Sequence, residues 1–282
     1  NITVGLDAKI GITNDLTLDL TVNPDFGQVD ADPSAIALDG FQIFFQERRP
    51  FFVENKNIFD FNVSQSEAGN TFGSDNIFYS RRIGRSPQGY PDTDDGEFVD
   101  QPDNTPIIGA AKFSGKTKNG WAIGVLESVT AQRTATIVSD NGEPRKEMVE
   151  PLTNYFVGRL QKDFNDRNSY VGGIFTATNR EQLPQELNFL HKSAFTGGVD
   201  FKHQWNNRDW YLEGNVTFSH VQGSEEAIKN TQESITHLFQ RVDADYLELD
   251  STRTALTGTG GNLQIGKLGN GNFRFESGAT WR

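Results

Sequence analysis

The chain has 282 residues, with Lys+Arg 26 against Asp+Glu 38 and a formal net charge of −12 at pH 7. That length can bury a substantial core, while the acidic balance argues against nucleic acid, whose phosphates need a basic face. With Cys 0 there are no disulfides, no thiol nucleophile and no cysteine-built metal centre; no run of ~18 apolar residues offers a membrane helix, although a membrane β-barrel needs none.

Taken in chain order, the sequence alternates. In Ile2–Thr13 the residues Ile2, Val4, Leu6, Ala8, Ile10 and Ile12 share one face, and Thr3, Asp7, Lys9 and Thr13 the other. Leu16–Asn23 repeats the pattern with Leu16, Leu18, Leu20 and Val22 against Thr17, Asp19, Thr21 and Asn23. A period of two predicts strands, not helices. Weaker strand signals cover 107–116, 121–130, 154–164 and 169–178. Alternation returns in 195–205 and 210–219, weakens over 257–268, and closes the chain in 273–281. The sum is about ten strands and no long helix. Glu127 falls on the apolar parity of its strand, which predicts a bulge or a register change there.

The connections alternate too. Asn14-Asp15, Lys118-Asn119-Gly120, Asn165-Asp166-Arg167, Asn206-Asn207-Arg208-Asp209 and Gly269-Asn270-Gly271 have tight-turn chemistry. The others, about 24–106, 131–153, 179–193 and 222–256, are long and polar. Strict short–long alternation is the pattern of an outer-membrane barrel, and strands of ~9–11 residues match its tilted span. Trp121, Trp205 and Trp210, with Phe164, lie beside short turns. They read as an interfacial girdle or, in a soluble sheet, as edge tryptophans.

The expected fold is therefore all-β: an antiparallel transmembrane β-barrel, about ten strands of a larger barrel, with long loops on one side. Residues 1–282 form one domain, in which 24–106 is a long insertion serving as plug plus extracellular loop. If the short turns are periplasmic, the first strand runs inward and the last outward, so further strands are expected at both ends. Charged residues expected on the lumen side are Asp7, Lys9, Asp19, Lys112, Arg159, Asp200, Lys202, Glu213, Arg274 and Glu276. Their mixed signs predict a filled interior more than a single-sign pore.

The stretch 23–54 departs from the alternation. It gathers Asp25, Asp30, Asp32, Glu47 and Glu54 around Arg48 and Arg49, with Phe41, Phe44, Phe45, Phe51 and Phe52. Five phenylalanines predict a segment that folds back and packs. Buried arginines then need carboxylates as bidentate partners. The cluster reads as a structural ion network or as a binding site for a charged ligand. Arg81, Arg82 and Arg85 in SRRIGR form a second basic group, either gripping a lipopolysaccharide phosphate or anionic solute, or pairing with a nearby acidic loop. That loop, PDTDDGEF, carries Asp92, Asp94, Asp95 and Glu97. Its oxygen-rich spacing suits calcium, although it lacks the twelfth-position glutamate of an EF-hand; a solvated loop is the other reading. No other cofactor is expected.

Three blocks carry a resemblance: NPDFGQVDADP, FFQERRPFFVENKNIFDF and IFYSRRIGR, joined by DAKIGIT and QRVDADYLELDSTRTAL. They resemble a family of large outer-membrane proteins from the Bacteroidota and relatives. In that family a domain similar to carbohydrate-binding module family 9 precedes a domain of unknown function. The resemblance implies a membrane β-barrel of unassigned role in the bacterial outer membrane, often labelled a hydrolase. The implied partners are outer-membrane lipid and lipopolysaccharide, other outer-membrane or periplasmic proteins, and glycan through the N-terminal module. No GxSxG or HExxH motif supports catalysis. The leading expectation is thus a non-enzymatic barrel for transport, export or anchoring. Its competitors are a hydrolase with a rim site around Ser193, Ser219, His220 or His191, and a soluble all-β binding protein.

Overall fold

Two hairpins close on consecutive left-handed residues: Asn165, Asp166 and Arg167 at φ 51, 51 and 64, and Asn206, Asn207 and Arg208 at φ 52, 55 and 67. Asn and Asp enter this region more readily than other non-glycine residues, and the run reverses the chain tightly between long strands. The computed structural model describes residues 4–24, 45–64, 76–139, 142–181, 183–243, 246–269 and 272–281.

Thirteen strands are present among the described residues: β1 (Leu6–Gly11), β2 (Leu16–Val22), β3 (Phe98–Asp100), β4 (Ile107–Lys116), β5 (Trp121–Thr130), β6 (Arg133–Val138), β7 (Pro144–Glu150), β8 (Thr153–Phe164), β9 (Ser169–Arg180), β10 (His191–Trp205), β11 (Trp210–Gly223), β12 (Ala255–Lys267) and β13 (Phe275–Trp281). Ten of them form one antiparallel sheet in the order β1-β2-β4-β5-β8-β9-β10-β11-β12-β13. The sheet is a meander from which long excursions leave and return. It does not close on itself: β1 and β13 are its two edges.

The ten expected strands are therefore the ten of the main sheet, and β4 and β5 coincide with their expected bounds. β10 and β11 run longer, to 15 and 14 residues. Two features lie inside connections expected to be irregular. β3, β6 and β7 make a separate three-stranded sheet. A helix, α1 (Glu225–Glu233), starts where the Ser224 hydroxyl accepts the Ala227 N–H at 3.0 Å. The bulge expected at Glu127 is absent: β5 keeps an unbroken register with β8 from Trp121 to Thr130. The Glu127 carboxylate instead accepts a hydrogen bond from the Asn154 amide of β8, which gives the polar group a partner on its own face.

The two faces of the main sheet are inverted relative to a water-soluble protein. Ladder partners share a face, so the register assigns every residue a side. One side carries Leu6, Leu160, Val171, Phe175, Val199, Val216, Phe218 and Leu263, and it is exposed: Val199 is 60 % and Phe218 52 % accessible. The other side carries Asp19, Lys112, Arg159, Asn215 and Gln264, and it is buried: Lys112 is 1 % and Arg159 4 % accessible. The cover over this polar side is the excursion between β2 and β4. Its Phe52, Phe59, Phe61 and Ile83 form one cluster with Ile107, Ala110, Leu126, Val157 and Ile174 of the strands. The main core thus lies between a returning segment and the polar face of the sheet.

Candidate functional site: the covered polar face

Residues 45–64 cross the sheet and are held at successive strands. On β4, Lys112 Nζ donates to the carbonyls of Phe51 and Glu54, the latter at 3.1 Å, and lies 3.3 Å from Asp19. Lys9 of β1 holds the Glu54 carboxylate at 2.6 Å. On β8, the Arg159 guanidinium sits 5.3 Å from the Phe61 ring centre and forms a bidentate pair with Asp200 of β10, at 2.6 and 2.7 Å. On β11, Asn215 Nδ2 donates to the carbonyls of Asn62 and Val63, both at 3.0 Å. Glycines make room beneath the crossing: a Cβ at Gly124 would lie 2.8 Å from the Phe59 ring, and one at Gly198 2.7 Å from that of Phe61. Lys202 and Glu213 pair at 2.7 Å, and the Tyr211 hydroxyl donates to Glu276 at 2.8 Å. Charged side chains on this face thus pair with one another across adjacent and next-but-one strands.

Glu47 and Arg49 form a knot in this cover. Arg49 donates to both Glu47 carboxylate oxygens, at 2.9 and 2.7 Å, and to the carbonyls of Ser80 and Ile83 at 2.9 and 2.6 Å. The Ser80 hydroxyl completes the carboxylate shell at 2.6 Å. Burial alone would raise the Glu47 pKa. The Arg49 hydrogen bonds and charge, with those from Ser80 and the Arg49 amide, outweigh it and hold the carboxyl below its usual range. Because the folded pKa is depressed, the contribution of this pair is complete above the ordinary value of 4.5 and is lost as pH falls through the folded value. Glu47→Gln is accordingly expected to lower stability at pH 7 and to flatten the stability profile below about pH 4.5, as read by chemical unfolding across pH. An unchanged acid limb in the variant would contradict this assignment.

Other residues named from the sequence fall as follows. Asp25, Asp30 and Asp32, with Phe41 and Phe44, lie outside the described residues. Arg48 contributes its amide to Glu47 Oε1 at 3.1 Å. Arg81 donates to the Gln46 carbonyl at 2.9 Å and stands over Phe45. Arg82 and Arg85 belong to the same turn: the Arg85 carbonyl accepts the Thr105 N–H at 3.1 Å, and both guanidinium groups have Tyr155 as a neighbour. In the acidic loop, Glu97 accepts from the Asp94 amide and from Arg145 of β7, both at 2.9 Å, and Arg145 also reaches the Asp92 carbonyl. The carboxylates Asp92, Asp94, Asp95 and Glu97 do not converge: among the described residues no group of three or more His, Cys, Asp or Glu could hold a metal ion. The calcium expectation gains nothing from this arrangement.

Among the described residues no hydrogen bond joins Ser193, Ser219, His220 or His191, weighed for a hydrolytic site, to one another. Ser219 and His220 are successive on β11, so they face opposite sides of the sheet and cannot share a proton. His191 Nε2 is engaged by the Thr231 hydroxyl at 2.7 Å. Ser193 pairs with Gln222 in the ladder, next to a register shift.

A cavity of about 270 Å³ remains between cover and sheet, walled by Glu47, Phe52, Lys56, Asp60, Lys112 and Leu126. Burial, stronger than the influence of Lys56, the hydrogen bond from Asn76 and the charge of Arg159, raises the Asp60 pKa. Polar groups of both signs line the space, which suits water or a small polar solute. The sequence had not singled out Ser80, Asn215, Tyr155, Glu150 or Arg180, because their roles depend on cross-strand neighbours.

A family model described as a domain of unknown function, DUF5916, matches residues 1–246, from β1 through α1 and beyond. The chain belongs to this family. No curated protein and no solved structure matches it. DUF5916 membership thus covers the covering segment and most of the main sheet, and assigns neither a reaction nor a ligand.

Proposed function

We propose that this DUF5916 chain is an integral outer-membrane β-barrel protein, non-enzymatic, whose returning segment fills the polar interior. Its work is transport or export, or the anchoring of a glycan-binding domain at the cell surface.

The observation that carries this reading is the inverted sheet with its two aromatic rows. Near the short turns, Trp205 stacks on Trp210 at 6.1 Å and Trp210 meets Phe275 edge-on at 5.4 Å; Trp121 and Phe164 lie beside other short turns. Toward the long connections a second row runs from Phe156 through Phe175 and Phe195 to His220, at spacings of 6.3, 6.4 and 6.4 Å. Phe195 and Trp205 are ten residues apart on one strand, ~33 Å along the strand. At a tilt of about 40° the rows stand about 25 Å apart, the height of the apolar band in an outer-membrane barrel. Exposed valines, leucines and phenylalanines fill the band between them. In water so much apolar surface would drive association; against lipid chains it is at equilibrium.

A bilayer leaves no sheet edge unpaired. In this reading β1 and β13 therefore pair in the membrane, with each other or with further strands. Lipid and lipopolysaccharide surround the apolar face. Glycan enters only through a neighbouring carbohydrate-binding domain. The paired charges beneath the cover favour a gated or sealed interior over an open pore.

The test is outer-membrane fractionation joined to gel mobility before and after boiling. The folded protein is expected in the outer-membrane fraction and to migrate differently once boiled in detergent. A monomer that stays soluble without detergent would refute the reading. Conductance in a planar bilayer then separates transport from anchoring.

A further inference from the structure

Arginines gather at the long-connection end of the polar face, and two of them, Arg85 and Arg180, carry a buried Nε with no hydrogen-bond partner among the described residues. Arg180 ends β9 on that face; its ladder partner is Thr153, itself paired with Thr130 of β5. The SRRIGR turn reaches the same corner. Its Arg85 carbonyl accepts the Thr105 N–H at 3.1 Å, and Gly84 takes the left-handed conformation (φ 82) that lets the turn lie against Thr105. The Tyr155 phenol, on the same face of β8, has Arg180, Arg85 and Glu150 as its charged neighbours. Arg82 stands beside Arg85: desolvation first, then the Arg85 charge, lowers its pKa.

The donors here are poorly matched. Nε of Arg85 and Nε of Arg180 are both buried with no hydrogen-bond partner among the described residues, and so is Thr105 Oγ1. Arg180 Nη1 donates to the His191 carbonyl at 2.7 Å, a neutral acceptor. Glu150 is the carboxylate facing Arg180, and its oxygens are already engaged by the Gln88 amide N–H at 2.9 Å and by Gln88 Nε2 at 3.0 Å. Its ladder partner is Arg133, whose Nε is likewise buried and unpartnered. Arg159, whose Nε is likewise buried without a partner, differs in that its two terminal nitrogens meet the Asp200 carboxylate at 2.6 and 2.7 Å; Arg180 donates instead to a backbone carbonyl. Neighbouring guanidinium groups with buried unsatisfied N–H donors are stable when an oxyanion lies between them.

We propose that Arg85 and Arg180, with Arg82 beside them, form an oxyanion site at the mouth of the covered polar face. It takes the phosphate or carboxylate group of a soluble ligand. A lipid headgroup is disfavoured because Tyr155 and Arg180 lie on the side of the sheet opposite the apolar band. The site rests on side-chain geometry and not on the membrane reading, which boiling-dependent mobility tests separately.

The experiment is calorimetric titration of the full chain in lipopolysaccharide-free detergent with inorganic phosphate and, separately, with citrate. Saturable binding of at least one is expected, weakened tenfold or more by Arg85→Gln and by Arg180→Gln. Arg208→Gln, in a hairpin turn at the other end of the sheet, is expected to bind like the parent. Arg180 also ties β9 to β10, so Arg85→Gln decides if Arg180→Gln does not fold. Absence of saturable binding by the parent, or equal binding by folded Arg85→Gln, overturns the site. Binding only to vesicles containing lipopolysaccharide overturns the soluble ligand and assigns the arginines to a lipid headgroup.

Discussion

Asp200→Ala is expected to destabilise the folded protein by about 3–5 kcal/mol, the cost of leaving a buried charge without its partner. Arg159 and Asp200 come from β8 and β10 and meet above Gly172 of the strand between them, where a Cβ would lie 2.6 Å from Arg159 Nη1 and 2.7 Å from Asp200 Oδ1. Arg159 has only 2 % of its side chain accessible, so water cannot replace the lost carboxylate. The guanidinium also faces the Phe61 ring of the cover, so the loss should propagate to the segment above. Glu213→Ala is the internal comparison. Its pair with Lys202 keeps 33 % and 21 % side-chain accessibility, and a partly solvated pair contributes about 1 kcal/mol or less. Urea unfolding in lipid vesicles, followed by tryptophan fluorescence, separates the two. Equal effects would mean that Arg159 is solvated and the cover is not seated as described.

Gly198→Val is expected to dislodge the covering segment while leaving the strands paired. A Cβ at Gly198 would lie 2.7 Å from the Phe61 ring and 2.9 Å from the Val216 carbonyl, so a branched side chain and Phe61 cannot occupy the site together. Displacing a buried phenylalanine costs about 3–5 kcal/mol of docking. The variant should show faster proteolysis within 45–64, and higher conductance if the segment seals the interior. Its boiling-dependent mobility should persist. Gly173→Val is the control, since that glycine is on the apolar face and its Cβ would meet nothing nearer than 3.5 Å. Parent-like proteolysis of Gly198→Val would show that Phe61 does not hold the segment.

Much of this architecture is legible in the sequence because strand information is local. Alternation over ten residues places Asp19, Lys112, Arg159, Asp200 and Glu213 on one face, and the Asn-rich turns place the hairpins. The knot is legible in part. A diarginine near Glu47 called for carboxylate partners, but Arg49 takes Glu47 with Ser80 and Ile83, residues more than thirty positions away. The three-stranded sheet was missed because β7 begins with four polar or proline residues and buries only its end, at Val149 and Glu150. Glu127 misled in the other direction. Parity marked it as an error in register, and a cross-strand asparagine accommodates it without one. Arg180 and Glu150 carry no local signature at all. Each is an ordinary charged residue at the end of a strand, and only the packing of the SRRIGR turn brings Arg85 to them.

The central claim is that one face of the main sheet meets lipid and the other meets protein. With no native cysteine, single cysteines can be placed along β10 from Phe195 to Trp205 without background. In vesicles, labels at 195, 197, 199, 201, 203 and 205 are expected to be quenched by lipid-borne probes, most strongly near 199. Labels at 196, 202 and 204, which leave Gly198 and Asp200 in place, are expected to escape quenching. Absence of a two-residue period, or rapid reaction of position 199 with a water-soluble maleimide, would contradict the account.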